Sequence, residues 1–226
     1  MRLYKLDKTV FCVRNDAAEF LKAYTTNTLD APRNAFVDVH GRIVAVIGQR
    51  MLNHDEVLIA VGRPFAGRLL KHLEKYLALG RTQFKEEDYF VYFNLNGDYE
   101  PGEEEWVISQ APGQWVITKK NLNSGVSTEE FTLFRVKNRM PVQGIDYDDT
   151  LLLNVHDEDH VSYTKGCYLG QEIIARVHSR SRPPKKLVVK SEAECSPEEF
   201  AQMTSRVMDP STGKKIGFVF VNNVIK

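Results

Sequence analysis

The sequence predicts an α+β fold built on antiparallel sheets. Three observations carry this. Strand-like runs follow one another across short turns, which suits hairpins. The helical stretches fall singly between groups of strands. No regular strand–helix alternation of the kind a parallel sheet needs runs through the chain, and no internal repeat at solenoid period is present.

The elements follow in order. "DAAEFLKAYTTN" predicts a helix, with Ala17, Phe20, Leu21 and Tyr24 on one face and Asp16 and Glu19 at capping-box spacing. "NAFVDVHGRIVAVIGQRML" predicts a hairpin turning at His40-Gly41. Ala35, Val37 and Val39 alternate with polar neighbours along its first arm. Asn53 to Asp55 form a second turn, and "EVLIAV" completes a three-stranded meander. "RPFAGRLLKHLEKYLALG" is a helix opened by Pro64 and stopped near Gly80, with Phe65, Leu69, Leu73, Tyr76 and Leu77 along its buried stripe. Strands "DYFVYFNL", "EWVIS" and "QWVITK" are separated by turns at Asn96-Gly97, Pro101-Gly102 and Pro112-Gly113. The acidic run Glu103 to Glu105 is expected to be a solvated loop. "RSRPPKK" marks a connector or domain edge, because Pro183-Pro184 cannot extend a helix. A strand "KLVVK", a helix capped by Ser196, Pro197 and Glu199, and a last strand "KKIGFVFVN" end the chain. Two regions are therefore expected, 1–180 and 181–226.

Lys+Arg and Asp+Glu both number 30, so the formal net charge is zero and there is no whole-protein field to draw in nucleic acid or an anionic membrane. No run of ~18 apolar residues predicts a membrane span, and "MRLYKLDKTVFCVRND" lacks a secretory h-region. Three cysteines at 12, 167 and 195 form no C-x-x-C pair, which suits free thiols in a reducing compartment. A cytoplasmic protein is expected, with no membrane partner and no direct nucleic-acid partner. Nucleotide-binding glycine loops, G-x-S-x-G and H-E-x-x-H are absent. "HDEDH" places His156 and His160 four apart, but no cysteine ligand lies near, and no metal site is expected.

The informative stretch is "SYTKGCYLGQEIIARVHSR". A cysteine is often a small buried hydrophobe, and Cys167 could be one. Its neighbours suggest a working thiol instead. Gly166 and Gly170 permit close approach, and Lys165 is placed to stabilise a thiolate if its ammonium reaches the sulfur. Gln171 and Glu172 offer donor and acceptor groups to a heterocycle edge. Arg176, His178, Arg180, Arg182, Lys185 and Lys186 form a basic cluster, either a solvated linker or a clamp for an anionic group. It has no interleaved aromatics for base stacking.

"KGCYLGQE" resembles the K-G-C-[FY]-x-G-Q-E signature of the YgfZ-type folate-binding proteins, relatives of the glycine-cleavage T-protein. "AAEFLKAYTTN", "NAFVDVHGRI" and "FRVKNRMPVQGID" are similar to three further family segments in the same order. Asn154 and Ser162 also sit where the family often has an Asn and a Ser. The resemblance spans about Ala17 to Arg180. It implies a T-protein-like fold with a folate cavity and a short C-terminal β-barrel-like segment. It implies a tetrahydrofolate-binding accessory protein for iron–sulfur cluster assembly or repair, with effects on tRNA modification that arise through its client enzymes. The folate-side residues it points to are Asn27, Arg135, Asn154, Tyr168, Gln171, Glu172 and Arg176.

One departure bears on activity. T-proteins carry an Asp-Asp pair after the hairpin turn, where this chain has Ala45 and Val46. The Asp that usually follows Thr-Asn is also replaced, by Thr28. Neither a methyl nor an isopropyl group can steer a proton. An aminomethyltransferase is thus the second expectation, and a non-catalytic docking module the third.

Overall fold

The computed structural model describes residues 1–156, 159–180 and 183–223. Its centre is a five-stranded antiparallel sheet. In spatial order the strands are β3 (Arg33–Val37), β4 (Ile43–Asn53), β5 (Glu56–Gly62), β2 (Lys8–Arg14) and β6 (Gln83–Glu87). The first three are the expected meander, in register Ala35↔Val46 and Gln49↔Ile59.

Both faces of this sheet are covered, which is why "TVFCV" and "VLIAV" read as continuous apolar runs. Side chains alternate between faces along a strand. Phe11, Val13, Ile59 and Val61 pack against α1 (Ala17–Tyr24) and α2 (Arg63–Leu77) through Ala17, Leu21, Leu69 and Leu73. Val10, Cys12, Leu58 and Ala60 face a second sheet through Val91, Ile108 and Ile117. That sheet runs β1 (Leu3–Leu6), β7 (Phe90–Asn94), β9 (Gln114–Thr118), β8 (Trp106–Ser109), all antiparallel. Gly48 on β4 lets the two sheets approach closely, because a methyl group there would collide with the Trp115 ring.

A third sheet, β10 (Lys185–Ser191), β12 (Lys214–Asn222), β11 (Thr204–Asp209), holds the C-terminal segment. Among the described residues its strand order is open. Leu187, Val207 and Phe218 share a core with Ala35, Val37, Ile43 and Val136. Three further helices are α3 (Thr128–Lys137), α4 (Gln171–Arg180) and α5 (Pro197–Gln202). Among the described residues, no helix is long and apolar enough to cross a membrane.

Several local expectations change. Asp16 does precede α1, but in a left-handed conformation and without a side-chain cap; Glu19 pairs with Lys22 at 2.7 Å instead. The capping box at Ser196 forms as expected. Glu105 is buried, not solvated. It accepts from the Gly102 amide, Tyr99 Oη and Thr118 Oγ1 at 2.8–2.9 Å and faces Lys120 at 3.0 Å. These donors, the Gly102 amide first, hold its carboxyl down at about 2. Within the basic cluster, Arg182 and the Arg180 side chain lie outside the described residues.

Candidate functional site

The signature residues form a loop stitched to the end of α1. Ser162 donates its amide to the Thr26 carbonyl at 2.9 Å, and Leu169 donates to that of Ala23 at 3.0 Å. The Lys165 ammonium donates to the Thr25 and Asn27 carbonyls at 2.7 and 2.9 Å. Burial, with Lys22 nearby, lowers its pKa to about 8. Lys165 thus clamps the loop, with two of its three donors on backbone oxygens. Tyr168 is buried in the core shared with the C-terminal sheet, and burial raises its phenol pKa.

Gly170 explains the second motif glycine. Its φ is +82°, and a methyl there would collide with the Asp38 carbonyl oxygen and stand 2.8 Å from Val37 Cγ2. Gly166 has open space around it. Between these anchors Cys167 is exposed, whereas Cys12 lies buried in β2 with its thiol pKa raised by burial.

The helix after the loop points its polar groups outward. Glu172 pairs with Arg176 at 2.9 Å across one turn, both side chains being more than half exposed. Such a pair is worth about 0.3–0.5 kcal/mol. His178 stacks on Tyr163 with ring centroids 3.8 Å apart. Asn27 bridges the Arg33 and Asp159 carbonyls through its amide at 3.1 and 3.2 Å. Asn154 donates to Thr150 Oγ1 at 2.8 Å.

A cavity of about 510 Å³ lies elsewhere, between the first two sheets, α3, the segment 139–147 and residues Val155, His156, Asp159 and His160. That size suits a small-molecule site. Aromatic surfaces from Phe65, Phe93, Trp115 and Phe131 line it. So do Lys8, Arg33, Arg135, Arg139 and a polar wall of Gln143, Tyr147, His156 and His160. Lys8 Nζ sits 4.4 Å from the Trp115 ring centroid, and burial lowers its pKa to about 8. Of the residues expected to bind a cofactor, only Arg135 lines this cavity. Its guanidinium is already committed to Asp146 at 2.9 Å. The structure therefore separates the cysteine loop from the cavity.

Val46, on the strand where T-proteins were expected to differ, also lines the cavity, while Ala45 is sealed in the core. No protein-family model and no curated protein matches the sequence. A solved structure does match: glycine cleavage system aminomethyltransferase T from Bartonella henselae. The two agree with a TM-score of 0.69 over 97% of this chain and 78% of that one, at 13% sequence identity. The chain has a T-protein-like fold. At that identity the likeness concerns fold alone.

Sequence reasoning missed most of the cavity lining. Trp115 and Lys8 carry no motif, and the histidines of "HDEDH" looked like surface or weak metal ligands. Among the described residues, no group of three or more His, Cys, Asp or Glu side chains could hold a metal ion.

Proposed function

We propose that this chain binds a reduced folate in the cavity and acts as an accessory protein for iron–sulfur enzymes, with Cys167 as its working thiol. The observation that carries the folate reading is the cavity itself. It combines flat aromatic walls for a pterin with cations, Lys8 and Arg139, for the anionic glutamate tail. The signature resemblance and the T-protein-like fold support the same ligand class. In this reading residues 1–180 carry the folate site, 181–226 form a short C-terminal region, and the protein works in the cytoplasm. Effects on tRNA modification arise through client enzymes. Aminomethyl transfer is not part of the proposal, because an isopropyl group at Val46 cannot move a proton.

Binding is expected in the micromolar range, about −8 kcal/mol. Trp115 lines the cavity and Trp106 does not, so tetrahydrofolate should quench emission in a Trp106→Phe variant. A flat calorimetric titration, with emission unchanged, removes the folate reading.

Cys167 supplies a separate prediction. It should alkylate much faster than Cys12, because only exposed thiols meet reagent. Cys167→Ser should keep the fold and folate binding, since the loop is held by Lys165, Ser162, Leu169 and Gly170. It should fail to restore iron–sulfur enzyme activity in a deletion strain. Full rescue at normal protein level hands the loop to the docking-module alternative.

A further inference from the structure

We propose that Tyr147, His156 and His160 make the cavity selective for a neutral oxo-heterocycle over a protonated diamino one. This inference rests on the folate reading and names how the heterocycle edge is chosen.

The three side chains form one wall of the cavity, with Tyr147 and His160 buried and His156 partly so. The His156 and His160 rings stack with centroids 3.8 Å apart and planes 29° apart. Tyr147 Oη lies 2.7 Å from His156 Nε2. His160 is 6% exposed, and its Nδ1 has no hydrogen-bond partner among the described residues. A buried ring nitrogen left unpaired in a cavity-lining residue calls for a hydrogen-bond partner, which a ligand group in the cavity can supply.

The wall is electrically neutral. Burial, seconded for His156 by the Arg33 charge, holds that imidazole's pKa at about 3; burial, then His156 and Arg33, lowers that of His160. Burial raises the Tyr147 pKa, so its phenol stays protonated beside His156 Nε2 and adds no charge to the wall.

The unpaired nitrogen of a neutral imidazole is a single donor or a single acceptor, according to tautomer. A lactam edge, a carbonyl beside an N–H as in a 4-oxopterin, can meet it in either tautomer. A carboxylate offers acceptors only and complements the all-donor edge of a protonated 2,4-diaminopteridine. The carboxylates that line this cavity, Asp7 and Asp159, are each paired at 2.8 Å, with Arg63 and Arg33. A cationic edge therefore meets no uncommitted anion at this wall, and the Arg33 charge opposes it.

The test compares the tetrahydro forms of folic acid and of its 4-amino-4-deoxy analogue, which differ in one substituent, by calorimetry on the full chain at neutral pH. The wild type should favour the 4-oxo compound by about 10-fold or more, since a site with unmet polar groups discriminates strongly. His160→Gln keeps a neutral donor and acceptor and should keep the preference. His160→Phe keeps the ring stack and should reduce it below about 3-fold, with an unchanged melting temperature. Equal or tighter binding of the diamino compound by the wild type overturns the inference and leaves the folate reading standing. So does a His160→Phe protein that folds and retains the full preference. Binding of neither compound removes both readings together. The wild-type comparison decides the matter even if a variant fails to fold.

Discussion

Asp146→Ala is expected to lower stability by about 3–5 kcal/mol, the cost of leaving a buried charge without its partner. Asp146 and Arg135 are a buried pair, with side chains 0% and 5% exposed, joined at 2.9 Å. The carboxylate does more than pair. Its Oδ2 also accepts the Val142 amide at 2.8 Å, and its Oδ1 accepts Thr204 Oγ1 at 2.9 Å and Ser205 Oγ at 2.5 Å. Arg135 in turn donates to the Met140 carbonyl and to Ser205 Oγ. One carboxylate thus ties α3, a cavity wall and β11 of the C-terminal sheet together. Removing it leaves the guanidinium without a countercharge and takes an acceptor from an amide and two hydroxyls at once. Urea denaturation reads the loss directly. The double variant Asp146→Leu with Arg135→Leu should be more stable than Asp146→Leu alone, because no buried charge is left behind. A single-variant loss under about 1 kcal/mol would show that the C-terminal sheet is held by its apolar core alone.

This pair also shows what the sequence could and could not convey. Arg135 was singled out through a family resemblance as a folate-side residue. Its partners come from Met140, Asp146 and Ser205, and no local pattern links it to Ser205. Features set by near neighbours were legible: the hairpin at Gly41, the stripe of α2, the Ser196 capping box. The helix α3 was not, because its apolar residues Phe131, Leu133, Phe134 and Val136 point around the cylinder with no single stripe. The site divides the same way. The glycines around Cys167 hinted at an approachable loop, and the thiol is exposed. Lys165 is expected to stabilise a thiolate only if its ammonium reaches the sulfur, and the ammonium instead donates to the carbonyls of Thr25 and Asn27. The cavity draws its lining from positions 4 to 160. Such an assembly exists only after the sheets have packed.

The second large effect is acid destabilisation between pH 6.5 and 5. An unfolded histidine protonates near its ordinary value of about 6.5. Folded His156 protonates only at about 3, because burial, and then the Arg33 charge, disfavour the cation; His160 is lowered further by its stacking partner. Between those values the unfolded state binds more protons than the folded one. Stability therefore rises with pH through this window and is lost as pH falls, and the slope fades out over about one pH unit above 6.5. Each histidine gives a limiting slope of about 1.4 kcal/mol per pH unit. Integrated from pH 6.5 to 5, the pair is expected to remove about 3 kcal/mol. His72, also lowered by burial, adds in the same direction. Glu105 and Asp209, held down at about 2, begin to cost stability as pH falls into the ordinary carboxylate range of about 4, so stopping at pH 5 largely keeps them out of the measurement. Urea midpoints at pH 6.5 and 5 give the slope. His160→Phe should remove about half of the pair's share while keeping the His156 stack and the Tyr147 bond. An unchanged pH slope in that variant would mean that His160 takes up protons equally in both states, and the neutral wall of the cavity would lose its basis.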